Sequence, residues 1–181
     1  MRKLFVLISV SVVAFLMTGC LDDYQSDYTP EIMISTMYVN PIFVNDSLVG
    51  AKDTLGLSYD TKDYAYVMDT LSLGDTLMFS AAYYTVSNNL VAVKINWDTT
   101  ETALWYTLTA DIEKVLTDRS DVAAGQLYFN PGYNLVAFSK YVMPKRDGRT
   151  SFSLTVESDS KFSSSSIKFV LPVVKVDSTS L

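Results

Sequence analysis

Val91-Ala92-Val93-Lys94-Ile95-Asn96-Trp97 is the stretch on which the fold turns. Its large apolar side chains fall on every second residue, Val91, Val93, Ile95 and Trp97, with Lys94 and Asn96 between them. Successive side chains of an extended strand point to opposite faces, so a period of two marks a strand with one buried face; a helix would repeat every three or four residues. The same period runs through Leu77, Phe79 and Ala81; Leu104, Tyr106 and Leu108; Phe152, Leu154 and Val156; and Ile167, Phe169, Leu171 and Val173. These segments are rich in Val, Ile, Thr, Tyr and Phe, whose branched or flat side chains pack well on a pleated surface.

Turn residues punctuate the rows: Gly74-Asp75, Asn88-Asn89, Pro131-Gly132 and Asp147-Gly148. The last lies between two strand-like runs and predicts a hairpin, with Lys145-Arg146-Asp147-Gly148-Arg149 as its charged tip. Only Ala110 to Leu116 carries apolar residues at helical spacing, Ile112, Val115 and Leu116, and it is expected to cross between strands. Many short strands with almost no helix imply two packed antiparallel sheets or a closed barrel. Leu71-Ser72-Leu73-Gly74-Asp75-Thr76-Leu77-Met78-Phe79 resembles the turn and strand of bacterial immunoglobulin-like domains, and the C-terminal strand pattern is similar to the ends of such domains. The resemblance implies an all-β, antiparallel immunoglobulin-like β-sandwich over residues 31–181, without the Cys and Trp hallmarks of antibody domains.

Ahead of that domain, Arg2 and Lys3 precede an apolar run from Leu4 to Met17 broken only by Ser9 and Ser11. This is the layout of a secretory signal, and the run is shorter than the roughly 20 apolar residues of a spanning helix. Met17-Thr18-Gly19-Cys20 resembles the bacterial lipobox, with Met17 where Leu is usual. The resemblance implies a signal peptide over residues 1–19 and lipid attached to Cys20. Acyl chains hold a protein to a membrane at about 0.8 kcal/mol per buried methylene. Cys20 is the only Cys, so no disulfide forms within the chain. Residues 20–30, Cys20-Leu21-Asp22-Asp23-Tyr24-Gln25-Ser26-Asp27-Tyr28-Thr29-Pro30, read as an acidic tether. That stretch resembles the export signals of Bacteroidetes surface lipoproteins, which implies an outer-membrane lipoprotein exposed at the cell surface.

Charge and composition exclude several chemistries. Removing Arg2 and Lys3 with the signal leaves 12 bases against 20 acids, a net charge of −8, which repels phosphate backbones and argues against a nucleic-acid partner. The chain has no His. Its absence removes the commonest general base, the Ser-His-Asp and Cys-His arrangements and imidazole metal sites. A pair of carboxylates or a Ser-Lys nucleophile remains conceivable chemistry, but neither leaves a signature here, and no catalytic residue is assigned. Asp60, Asp63, Asp69, Asp98, Glu101, Asp111 and Glu113 fall mostly in turns or at strand ends. Asp118-Arg119-Ser120-Asp121 is a weak acidic pair and no Asp-x-Asp-x-Asp-Gly loop occurs, so neither metal nor cofactor is expected.

Aromatic residues are abundant, with 12 Tyr and 9 Phe beside Trp97 and Trp105. Trp97 continues an apolar row and is expected in the core. Trp105 falls out of phase with Leu104, Tyr106 and Leu108, on the opposite face with Ala103, Thr107 and Thr109. A flat ring among hydroxyls suits a sugar or a protein partner. Tyr83-Tyr84 points one ring to each face, so one of the two is expected outward; the dipeptide does not say which, and Tyr83 and Tyr84 both stand beside Trp105 as candidates. The chain therefore reads as a non-catalytic, membrane-anchored surface lipoprotein binding an extracellular ligand such as a glycan. The alternative is a structural or adhesive subunit of fimbrial type, with a two-carboxylate hydrolase behind both.

Overall fold

The computed structural model describes residues 28–175; the signal, Cys20 and most of the acidic tether lie outside the described residues. In chain order the strands are β1 (Glu31–Ile34), β2 (Met37–Val44), β3 (Ser47–Leu55), β4 (Leu57–Asp60), β5 (Ala65–Met68), β6 (Leu71–Ser72) and β7 (Leu77–Tyr84). They continue as β8 (Leu90–Trp97), β9 (Thr102–Thr107), β10 (Gln126–Tyr128), β11 (Leu135–Pro144), β12 (Gly148–Ser158) and β13 (Ser164–Val174). A single helical turn, α1 (Ala110–Glu113), is capped by Thr109, whose hydroxyl accepts from the Ile112 N–H. It carries the chain from one sheet to the other, as its spacing predicts, although it stops short of Leu116.

One sheet has the order β3-β2-β7-β11-β9, with β1 paired to β7 beyond the end of β2; the other runs β10-β8-β12-β13-β5-β4, with β6 also on β13. The order β2-β7-β11-β9 facing β8-β12-β13 is the two-sheet arrangement of an immunoglobulin-like sandwich. All pairings are antiparallel except those of β13 with β5 and β6.

Three phenylalanines join the sheets at the centre. Phe152 and Phe169 are cross-strand partners with ring centroids 4.9 Å apart, and Phe79 reaches them from the other sheet at 5.8 and 6.1 Å. Leu77, Ala81, Ile95, Leu154 and Leu171, which the alternating rows place inward, are fully buried around them. Trp97 packs against this core from the end of β8, partly buried. The backbone of Gly125 lies against the same strand: a Cβ there would meet the Ile95 carbonyl at 2.5 Å and the Trp97 ring at 2.9 Å, and its φ of +72° is a glycine conformation.

Two expectations are corrected. Val91 is 38% exposed, because Leu90 pairs with Ser158 and Ala92 with Glu157, leaving Val91 as the extra residue of a bulge. A bulge shifts the alternation by one, so Leu90 faces the core before it and Val93 and Ile95 after it. The Asp147-Gly148 turn, with Gly148 at φ +107°, does not close a hairpin. Both edges of β11 are occupied, by β7 and β9, and both edges of β12 by β8 and β13, so the turn carries the chain between sheets. Arg146 pairs with Glu101 there, and the Lys145 Nζ donates to the Thr99 carbonyl at 2.6 Å.

Lys140 also points inward, from β11, and its side chain is fully buried. Its Nζ donates to the Phe138 carbonyl at 3.1 Å and lies 3.6 Å from the Phe138 ring centroid and 4.8 Å from that of Tyr83. Among the described residues no carboxylate pairs with it. Loss of hydration pushes this amine well below the ordinary lysine range.

Candidate functional site

The site is built on the outer face of the six-stranded sheet. On β9, Leu104 and Tyr106 turn toward the core, which leaves Trp105 outward and 43% exposed. Across the ladder its partner is Tyr141 of β11, and the two rings stack with centroids 5.5 Å apart and planes 8° from parallel. The next outward pair along the same ladder is Thr107 with Ser139, and Ser139 shares a 2.8 Å hydroxyl–hydroxyl hydrogen bond with Ser80 of β7. A flat double ring therefore stands beside a row of hydroxyls.

The hairpin of β2 and β3 walls off this face. Its Asn45-Asp46 turn has φ of +48° and +61°, the left-handed pair of a tight two-residue hairpin, which Asn and Asp tolerate. If β2 ran straight past Val39, which pairs with Leu77, Phe43 would end roughly 30 Å along the strand direction from Ala137 at ~3.4 Å per residue. Phe43, Asp46 and Leu48 instead line one groove with Met78, Ser80, Ala137, Ser139, Tyr141, Thr107 and Thr109. β2 is irregular at Asn40, at φ +48° just before Pro41, and again at a register shift between Ile42 and Phe43. The Asn40 side chain accepts from the Thr76 N–H at 2.7 Å and donates to Asp75 at 2.7 Å. Lys52 of β3 also binds Asp75, at 3.0 Å. Burial alone would raise the Asp75 carboxyl, but the hydrogen bonds from Lys52, Asn40 and the Ser72 N–H, with the Lys52 charge, outweigh it and hold it below the usual carboxylate value.

The resulting groove is open, with a volume of 820 Å³, within the range of small-molecule sites; Tyr141 lines it, and Trp105 adjoins it through its stack on the Tyr141 ring. Its lining is largely apolar and hydroxylated, and Asp46 is the one carboxylate in it among the described residues.

Of the residues singled out from sequence, Trp105 belongs to this site and Tyr83 and Tyr84 do not. Tyr83 is completely buried, with its ring 5.6 Å from Phe138, so it is a core residue and cannot contact an external ligand. Burial raises its phenol well above the usual range, with the neighbouring Tyr106 adding to the shift. Tyr84 faces outward but donates to Glu31 of β1, a bond that also raises its phenol. Tyr141 and the hairpin wall were not found from sequence, because Tyr141 meets Trp105 only through the β9–β11 pairing.

No family model and no curated protein matches the sequence. Among solved structures, a family 123 glycoside hydrolase from Clostridium perfringens is 16% identical, with a TM-score of 0.34 over 82% of this chain and 28% of its own. This chain thus spans little more than a quarter of that enzyme. AggA, the major subunit of aggregative adherence fimbriae type I from Escherichia coli, is 14% identical, with a TM-score of 0.30 over 82% of this chain and 99% of its own. Likenesses of this size carry no functional argument; the groove must be read from its own chemistry.

Proposed function

We propose that this chain is a lipid-anchored surface lipoprotein whose outer sheet face binds an extracellular glycan without transforming it. The observation that carries the reading is the parallel stack of Trp105 on Tyr141 beside a hydroxyl-lined groove. The axial hydrogens of a sugar pack on such aromatic faces, while Ser80, Thr107, Thr109 and Ser139 offer both donors and acceptors to its hydroxyls. Trp105 is 43% exposed, which leaves it within reach of a ligand.

Trp105→Ala should weaken glycan binding about thirtyfold, equivalent to about 2 kcal/mol. Its unfolding free energy should fall by only about 1 kcal/mol, the contribution of one exposed ring pair. Titration calorimetry and thermal unfolding of the parent and variant separate the two effects. A variant that binds every glycan as the parent does would refute the platform.

Anchoring rests on the lipobox-like Met17-Thr18-Gly19-Cys20. Cells given a labelled fatty acid should label the parent chain and not Cys20→Ala; equal labelling would remove the anchor. The alternative, a fimbria-like structural subunit, draws on the exposed Ile42, Val44 and Val49 of the hairpin, an apolar surface suited to protein contacts. Oligomers that grow with concentration on size exclusion would favour it over the glycan reading.

A further inference from the structure

Resting on the glycan reading, we infer that the groove selects by charge: it accepts sugars that are uncharged or carry a free amine, and it rejects uronate, sialate and sulfate groups. Acidic sugars are held in protein sites by Arg or Lys, whose donors match carboxylate and sulfate oxygens. Among the described residues, no Arg or Lys lines this groove. Lys52 of the hairpin binds Asp75, and Lys140 points into the interior, on the other face of β11.

The charge that the groove does hold is Asp46, at the hairpin turn. Its carboxylate makes no hydrogen bond or ion pair with any described residue, in contrast to Asp75, Asp98 and Asp159, which are bonded to their surroundings. A free carboxylate facing a groove attracts an ammonium and repels an anion, and the net charge of the whole chain, −6, acts in the same direction. Asp46 is thus the specificity-determining residue, while Trp105 and Tyr141 supply the flat apolar surface on which each of these sugars can stack.

The test is binding of the full chain to an array of tetrasaccharides of glucose, mannose, N-acetylglucosamine, glucosamine and galacturonate, with sialylated and sulfated tetrasaccharides included. Three proteins are compared: the parent, Trp105→Ala and Asp46→Asn. Asn keeps the left-handed turn conformation and removes only the charge. The parent should bind neutral or amine-bearing members and leave the acidic ones unbound. Glucosamine should be preferred over N-acetylglucosamine about three- to fivefold at low salt, the size of one exposed ion pair, and about 0.5 M salt should erase the preference. Asp46→Asn should lose that preference while keeping neutral binding. Acidic tetrasaccharides bound as tightly as neutral ones, in a manner that needs Trp105, would overturn charge selection and leave the glycan reading standing. An Asp46→Asn protein with an unchanged ranking would do the same. Binding to no member of the array would overturn both.

Discussion

Replacing Lys140 with Met should make the protein more stable, by about 1–4 kcal/mol at neutral pH, the gain found when buried ionic groups give way to apolar ones of similar volume. The Lys140 stem already fills core space beside Phe138, Tyr83 and Phe79, and the unbranched Met side chain can occupy it without a polar end. The sign of the pH dependence follows from the lowered pKa. Between the folded and unfolded values the unfolded chain binds the proton that the folded chain has shed, so stability rises with pH across that window. The cost of folding is full below the folded pKa and vanishes above the unfolded one, about 10.4. Urea unfolding from pH 7 to 10 should therefore show a rising stability in the parent that Lys140→Met lacks. Above about pH 10 the buried Tyr83 acts in the opposite direction, since its raised phenol keeps a proton that the unfolded chain gives up. A Lys140→Met protein no more stable than the parent, with the same pH slope, would mean that the amine reaches water.

The second large effect lies at the join between the sheets. Phe169→Ala should cost about 3–5 kcal/mol, the range for truncating a buried phenylalanine. That is a large share of a domain stability of about 5–15 kcal/mol. Phe169 is fully buried and meets Phe152, Phe79 and Tyr66, so its removal opens a cavity that neither sheet can close without sliding. At about 2–4 °C per kcal/mol for a domain of this length, the midpoint should fall by roughly 6–20 °C. Phe169→Leu, which keeps most of the volume, should cost less than about 1.5 kcal/mol. Similar losses for the two variants would show that ring stacking, not volume, holds the sheets together.

How far the sequence disclosed this architecture depended on whether each residue's role was local. Phe152, Leu154 and Val156 could be placed inward because alternation is a property of consecutive residues. β11 escaped the same reading: its inward row is Val136, Phe138, Lys140 and Val142, and a lysine in that row erases the contrast on which the pattern depends. β2 was hidden by Asn40-Pro41, which looks like a strand break and is an irregularity within one strand. Asp147-Gly148 has hairpin chemistry but joins two sheets, since a tight turn fixes the angle of the chain and not the partners of its strands. The outward setting of Trp105 was legible from its own strand. Its stacking partner and the opposing wall come from β11 and the β2–β3 hairpin, brought there by pairings that no local pattern encodes.

The parallel pairing of β13 with β5 has a bearing on how the chain reaches this state. Phe169 lies opposite Tyr66 and Val170 opposite Val67, contacts that join residues about a hundred positions apart. Closing so long a loop brings little reward until the final strand is in place, and topologies dominated by such distant contacts fold on the slow side, in milliseconds to seconds. A nascent chain that ends before Ser164 lacks β13, and with it the strand that joins β12 to β5 and the ring that completes the Phe79–Phe152 cluster. Closure of the seven-stranded sheet therefore waits for β13, and a chain of this topology is expected to stay open until that strand has been made.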